Sequence, residues 1–518
     1  MAKQNPKTKL EIALCFSGGG YRAAGFHLGV LSYLERIGLL QNVSIISTVS
    51  GGTLTGLSYA HSLKKKESFK EYYNRFYSFL HHANLIKLSF NSVGSPAATA
   101  LGYKNFITAA AEIYDRVLFS GERFGIFWDK TPIHLKELVF NSTEFRTGID
   151  FRFQKSSSVR AKIGNGNIDI PVTDAQKIRL ADIAAASSCF PGGFEPLAFP
   201  HDFQWPDGTI PDSLADKFPE PLPIMDGGIY DNQGIDAALL AIERSRSTTD
   251  LFIISDTDQK KSNIYPYPEN KNHGWLTLHL INVLSIAFAG LSLASAVLLL
   301  YNFIQVENFV EGFINYLFPA SVLASLFFAI VWIRSKIKND VLARIPKVRL
   351  ASWDEIKRLS IDQVIDMAEL RITSLFALSS AVFMKRIRAL IYGRVYKDSK
   401  FEKKRISNLI YELNGEKEIP VSWLKPSARL RFVAERASTM PTTLWFENET
   451  QQRELIACGQ FTVCYNLLDY LLRIYGKNPK TYPVWAKERY KRLMEDWVKL
   501  QNDPMGLVTE RDSRDDIS

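Results

Sequence analysis

The chain has 518 residues, 46% of them hydrophobic and 23% charged, which describes an ordinary globular protein with room for more than one domain or for one domain with large additions. A net charge of +9 and a pI near 9.1 favour an anionic partner, either nucleic acid or an anionic membrane surface. The four cysteines, Cys15, Cys189, Cys458 and Cys464, form no Cys-x-x-Cys pair and no His/Cys cluster, which argues against a disulfide framework or a structural zinc.

Residues 1–9 are polar and basic with no apolar run behind them, so no cleavable signal peptide is expected. Glu11 to Phe16 suits a buried strand. Ser17-Gly18-Gly19-Gly20 then turns sharply, and Arg22 to Ile37 carries apolar residues at helical spacing. Three consecutive glycines opening a helix offer backbone N–H groups with no side chain in the way, which suits an oxyanion. Val43 to Val49 is a second β-branched run that delivers Ser50 to a turn made by Gly51 and Gly52. A serine exposed in a strand-to-helix turn of this kind is a nucleophile elbow. Further on, Pro223-Ile224-Met225-Asp226-Gly227-Gly228 reads as a strand end closed by glycines. An aspartate there can take the serine proton directly, giving a dyad.

Gly18-Gly19-Gly20-Tyr21-Arg22, Ser50 in its glycine-rich elbow and Asp226-Gly227-Gly228 together resemble the patatin-like phospholipases. Ala185-Ala186-Ser187-Ser188-Cys189-Phe190-Pro191-Gly192-Gly193-Phe194 is similar to that family's segment between nucleophile and aspartate. The resemblance covers roughly residues 10–256. It implies a three-layer α/β/α hydrolase with a mostly parallel central sheet, a Ser50–Asp226 dyad, and a calcium-independent lipid acyl hydrolase. Gly18, Gly19, Gly20 and Gly51 are the expected oxyanion donors, with Arg22, Gly52, Gly227 and Gly228 as supporting residues. One position departs from the family's Gly-x-Ser-x-Gly elbow: Thr48 stands at the first glycine. A dinucleotide-binding turn on Gly18, Gly20 and Ala23 is disfavoured, because the next strand ends in Ser50 and not in an acidic residue.

Thr53 to Ala60 continues behind the elbow as a helix. An insertion over about 62–130, rich in aromatics such as Tyr72, Tyr73, Phe76 and Phe79, reads as helical, with two roles open: core packing on the sheet, favoured for most of these residues, or a helical cap that shapes an acyl-chain pocket. Within it His81-His82 lacks further ligands and reads as solvated surface; His27 reads as packing. Glu137 to Phe140 and Gly148 to Phe153 are expected strands, Leu180 to Ser188 a helix, Ile235 to about Arg244 another, and Leu251 to Ser255 a last strand closing the catalytic domain, 1–262. Asn232 is open to two roles: orienting Asp226, or simply a turn residue. Arg22 fits either a contact to lipid phosphate or, the favoured reading, a hold on the glycine loop through a carboxylate.

From Asn272 to Val306 there is no Asp, Glu, Lys or Arg, and a second uncharged run spans Phe313 to Ile333. Both exceed the about 20 residues a membrane span needs. Lys260, Lys261 and Lys271 precede the pair, and Arg334, Lys336 and Lys338 follow it. This predicts a transmembrane hairpin, 263–340, with helices 276–304 and 313–333 and both flanking regions cytoplasmic. Pro319 predicts a kink. Residues 341–510 read as a helical, basic region packing on the catalytic domain and the membrane surface. There Thr373 to Met384, followed by Lys385, Arg386, Arg388 and Arg394, fits either an interfacial helix or a helix docked on the catalytic domain. Pro441 to Phe446 reads as an extended loop before a helix, and 511–518 as a disordered tail.

These expectations combine into a membrane-anchored serine acyl hydrolase acting on phospholipids or lysophospholipids, with no metal and no cofactor. A transacylase using the same dyad and a non-catalytic membrane scaffold are the rivals. A Ser-His-Asp triad is disfavoured, since the histidines after Asp226 are His273 and His279, at the apolar segment. Nucleic-acid binding is not expected, because the basic clusters flank apolar runs. Oligomeric state is left open.

Overall fold

The computed structural model describes residues 10–93, 105–245, 249–258, 275, 277–336, 358–378, 382–415 and 421–513. The chain divides into two compact units, Met1–Ser262 with Val382–Ser518, and Asn263–Ala381.

In the first unit β1 (Ile12–Phe16) leads through the glycine loop into α1 (Gly20–Arg36), and β2 (Val43–Val49) through Ser50 into α2 (Gly51–Lys64). The insertion after α2 contains α3 (Phe69–His82), α4 (Leu85–Val93) and α5 (Phe106–Tyr114), and Tyr72, Tyr73, Phe76 and Phe79 join the main core. A Ser68–Glu71 capping box starts α3. Then come β3 (Glu137–Glu144), β4 (Ile149–Lys155), the short β5 (Ile163–Gly164) and β6 (Asp169–Ile170), α6 (Leu180–Ser188), β7 (Leu197–Phe199), β8 (Leu222–Asp226), α7 (Ile235–Ser245) and β9 (Leu251–Asp256). Strands β9, β1, β2 and β3 pair in parallel, whereas β4 to β8 join the sheet antiparallel. The central strands are buried at every position, as a sheet covered on both faces requires. Alternation then sorts their side chains: Ile12, Leu14 and Phe16 meet the layer containing α1, while Ala13 and Cys15 meet α7. The result is a three-layer α/β/α hydrolase-type sandwich.

In the second unit α8 (Leu278–Ile304) packs against α9 (Phe318–Lys336). A π-helical turn, Phe313–Leu317, immediately precedes Pro319, where the missing N–H interrupts regular α hydrogen bonding. Ala289, Ser292, Ala296 and Ala320 are buried within the unit, whereas Leu284, Phe288, Leu291, Leu298, Phe328 and Trp332 are exposed. Helix α10 (Ile361–Ala377) follows. Lys260, Lys261, Lys271 and Lys338, which carry the orientation argument, lie outside the described residues, as do the side chains of Arg334 and Lys336.

The chain then returns to the first unit with α11 (Phe383–Lys397) and an unforeseen strand, β10 (Arg405–Leu409), which pairs with β9 and extends the parallel order to β10-β9-β1-β2-β3. Helices α12 (Ala428–Thr439), α13 (Glu449–Tyr475), α14 (Val484–Asn502) and α15 (Gly506–Ser513) complete it, α13 lying along α1. The run Thr373 to Met384 straddles the end of α10 and the start of α11, with 379–381 outside the described residues. Helix α11 buries Ile391 and Val395 against the sheet, and its Arg388 reaches Asp256 at 3.6 Å and Asp258 at 2.5 Å. Of the expected disordered tail, 511–513 continue α15 and 514–518 lie outside the described residues.

Candidate active site

Ser50 sits between β2 and α2 with φ 52° and ψ −123°, a left-handed conformation a side-chain-bearing residue rarely adopts. Such strain turns the chain hard enough to lift the hydroxyl off the end of the sheet. Closeness demands the glycines around it: a Cβ at Gly51 would collide with the Gly20 carbonyl, and one at Gly52 would come within 2.7 Å of the carbonyls of Phe16 and Ser17. The elbow and the glycine loop are therefore seated directly on one another.

Asp226 ends β8 and is 5% exposed. Its backbone is tied down on three sides. The Asp226 N–H donates to the Cys189 carbonyl (2.9 Å), the Thr143 hydroxyl donates to the Asp226 carbonyl (2.9 Å), and the Gly227 N–H reaches the Ser187 carbonyl (3.4 Å). The carboxylate accepts the Gly228 N–H at 2.7 Å, and the Ser50 side chain lies close enough to pull its pKa down. Burial pushes its pKa up to about 6, against the opposing pull of the Ser50 hydroxyl and the Gly228 N–H. A carboxyl with that pKa is ionised at neutral pH and still basic enough to take a proton. Cβ atoms at Gly227 or Gly228 would run into Asn141 and Asn232, so both supporting glycines are needed for fit.

The glycine loop corrects one expectation. The Gly18 N–H is already given to the Asn232 carbonyl at 2.9 Å and is not available to a substrate oxygen. Gly19 caps α1, Gly20 begins it and Gly51 begins α2; amides at these positions have no intrahelical acceptor, which leaves the three as candidate oxyanion donors. Asn232 thus holds the loop by its backbone, while its side-chain oxygen wedges between Gly18 and Gly228. The Thr257 hydroxyl gives a second tie, to the Gly18 carbonyl at 2.9 Å.

Residues 14–239 match the family model described as patatin-like phospholipase. They are a patatin-like phospholipase domain. No curated protein matches the chain. The match supports lipid acyl hydrolase chemistry, in the general sense, for this domain. The match stops before β9, so β9, β10, the apolar hairpin and α13 all lie beyond it.

Within the patatin-like domain the departure at Thr48 is absorbed one helical stretch away. The Thr48 methyl packs where a Cβ on Gly56 would sit 2.6 Å from it, so the missing strand-side glycine is replaced by one on α2. His27 is buried and faces the Ser17 carbonyl (3.0 Å) and the Ser255 hydroxyl (3.1 Å). Burial drives its pKa down to about 3, so it is a neutral packing group, as its sequence context suggested. A carbonyl can only accept, so Nε2 carries the proton and Nδ1 accepts from Ser255. Ser255 in turn accepts from Asn408 of β10 (3.2 Å), which is bonded by Asn466 of α13 (3.1 Å). His81 and His82 are exposed, and no cluster of metal-ligating side chains occurs among the described residues.

Arg22 also departs from expectation. It is buried, and its Nη1 donates to the Met440 carbonyl at 2.8 Å instead of to a carboxylate. The same strap, which includes the expected extended loop Pro441 to Phe446, accepts the Tyr21 N–H at Thr443 (2.8 Å) and the Leu85 N–H at Leu444 (3.1 Å). Segments outside the patatin-like domain therefore clamp its glycine loop.

Proposed function

We propose that this protein is a membrane-anchored serine acyl hydrolase that cleaves fatty-acyl esters of phospholipids or lysophospholipids. The observation that carries this reading is Ser50, strained in a strand-to-helix turn with its side chain near a buried Asp226 and beside helix-terminal amides. Asp226 removes the Ser50 hydroxyl proton as Oγ adds to the ester carbonyl. The N–H groups of Gly19, Gly20 and Gly51 hold the tetrahedral oxyanion; losing one such donor costs about 3 kcal/mol of barrier. The alcohol portion leaves with the proton from Asp226, giving the acyl-enzyme. Asp226 then deprotonates a water that attacks the acyl group, and fatty acid departs as Ser50 regains its proton. No cofactor enters this scheme.

Helices α8 and α9 are the proposed membrane hairpin, with both ends cytoplasmic on the strength of the flanking lysines and arginines in the sequence. Anchoring holds the dyad near bilayer substrate and raises its effective concentration. An anionic membrane surface is the proposed partner for the basic flanks.

Fatty-acid release from mixed phospholipid vesicles, measured with chelator present, tests the reading. Wild type is expected to release fatty acid, and Ser50→Ala and Asp226→Asn are expected not to. Acyl transfer to an acceptor lipid in place of fatty-acid release would make the enzyme a transacylase. Undiminished activity in either variant would remove the dyad, and silence of wild type toward every lipid would leave the scaffold reading.

A further inference from the structure

The elbow is held from below by side chains that no part of the chemistry above uses. The Ser50 N–H donates to the Ser187 hydroxyl at 3.0 Å, and that hydroxyl donates to the Asn141 carbonyl at 2.6 Å. Ser187 also touches the Thr53 hydroxyl at 2.8 Å, and Thr53 touches the Thr48 hydroxyl at 2.9 Å. Proton counting fixes every direction in this chain. Asn141 O can only accept, so the Ser187 proton goes there. Ser187 Oγ must then accept from both Ser50 N–H and Thr53. The Thr53 proton being spent, Thr48 donates to Thr53. The relay therefore runs one way, Thr48 to Thr53 to Ser187 to Asn141, and all four residues are buried. Chains of this kind strengthen cooperatively in a dry interior.

Ser187 has a second contact that gives the chain a purpose. Its carbonyl receives the Gly227 N–H, next to Asp226, while its hydroxyl receives the amide of Ser50. One residue of α6 thereby touches the backbone of the nucleophile turn and of the base turn. We propose that Ser187 is the positioning residue that sets the Ser50–Asp226 spacing, and that Thr48 and Thr53 orient its hydroxyl for that task. The proposal rests on the dyad reading. It also gives Thr48 a role: the position that departs from the family's elbow pattern supplies the first donor of the relay, and Gly56 makes room for it.

Threonine offers a clean pair of variants, since valine keeps the shape and loses the hydroxyl, whereas serine keeps the hydroxyl and loses a methyl. The full-length chain in phospholipid vesicles is assayed on a short-chain p-nitrophenyl ester, with active sites counted by an organophosphate titrant. Ser187→Ala is expected to lower kcat per titrated site by about 100-fold, the scale of a small misplacement of reacting groups, with KM little changed. Thr53→Val and Thr48→Val are expected to lower it by progressively less, and Thr53→Ser and Thr48→Ser to restore it. A purely structural role would instead reduce the number of titratable sites and leave kcat per site at the wild-type value; that result overturns the proposal. So does a pattern in which the serine variants fail and the valine variants do not. Should Ser187→Ala not fold, the two threonine pairs decide alone. Ser50→Ala and Asp226→Asn run in parallel: if they are inactive while the relay variants match wild type, only the positioning role falls, and if they are active, the dyad falls first.

Discussion

Helices α8 and α13 are each 27 residues long, and both are apolar enough to cross a membrane, yet their surroundings are opposite. The most apolar stretch of α13 is 89% buried inside its unit, against 17% for α8 and 6% for its partner that runs from Phe309 to Ile333. The polar groups along α13 explain the difference. Gln452 donates to the Tyr77 carbonyl (2.8 Å), Glu454 pairs with Arg436 (2.8 Å), Gln460 donates to Ser32 (3.1 Å) and Asn466 to Asn408 (3.1 Å). Each is a bond to another element of the sheet unit, and none would exist in lipid. Helix α8 shows apolar side chains around most of its circumference and buries small ones, Ala289, Ser292 and Ala296, within its own unit, as membrane helix pairs do. Length and hydropathy nominate a span; partners for the polar groups decide against one.

The hardest test puts one substitution at a glycine in each helix. A Cβ at Gly459 would collide with the Phe26 carbonyl of α1, whereas one at Gly290 of α8 meets nothing within 4 Å. Backbone cannot yield as a side-chain tip does. Gly459→Val is therefore expected to abolish folded protein, at a cost beyond the about 1–3 kcal/mol of ordinary overpacking. Gly290→Val is expected to be indistinguishable from wild type in protease resistance and membrane recovery. Tolerance of the first change would mean that α13 does not pack as a core helix.

A charge separates the two environments at a smaller scale. Leu291 is 68% exposed on α8. Leu291→Arg is expected to cost about 3 kcal/mol of membrane insertion, the value for arginine at a helix centre, and to shift the chain toward the carbonate-extractable fraction. Soluble-ester hydrolysis per folded molecule should persist, because the dyad belongs to the other unit. Unchanged extraction would argue that α8 does not enter a bilayer.

What the sequence made readable follows the same division. Contiguous features were legible: the glycine loop, the elbow and Asp226 each declare themselves within a dozen residues, and the uncharged runs by their length. Contacts across the fold were not. The partner of the Ser50 amide is 137 residues away at Ser187, and that of Arg22 is 418 residues away at Met440. No local pattern announces that Gly18 spends its amide on Asn232, because a backbone acceptor leaves no mark on residue type. Strand β10 was missed because Arg405 to Leu409 lies beside a lysine run and holds two apolar residues, Ile406 and Leu409, on a sheet edge, where one long apolar run is not required. Arg388 stayed open between a headgroup contact and the solvated face of a docked helix, because nothing near it in the sequence hints that Asp256 and Asp258 would meet it.

The smallest expected effect concerns a group for which burial is not fully compensated. In α13 each residue named above makes a bond, although the Oε1 atoms of Gln452 and Gln460 find no partner; Asp226 accepts the Gly228 N–H and lies near the Ser50 hydroxyl, and burial still outweighs both, leaving its pKa at about 6. An unfolded aspartate titrates near about 3.9. Between those values the folded chain keeps a proton that the unfolded chain has released, so this group's contribution to stability falls as pH rises and stays low above pH 6. Asparagine cannot ionise. Asp226→Asn is therefore expected to melt higher than wild type at pH 7.5, by at most about 3 kcal/mol, and to match it near pH 4. The wild-type rate is expected to fall below pH 6 as the base becomes protonated, while the variant stays inactive throughout. Thermal melts at the two pH values and a pH–rate profile check both halves. A variant less stable than wild type at pH 7.5 would mean that the Asp226 charge is well solvated by Ser50 and Gly228, and that the site does not trade stability for a basic carboxylate.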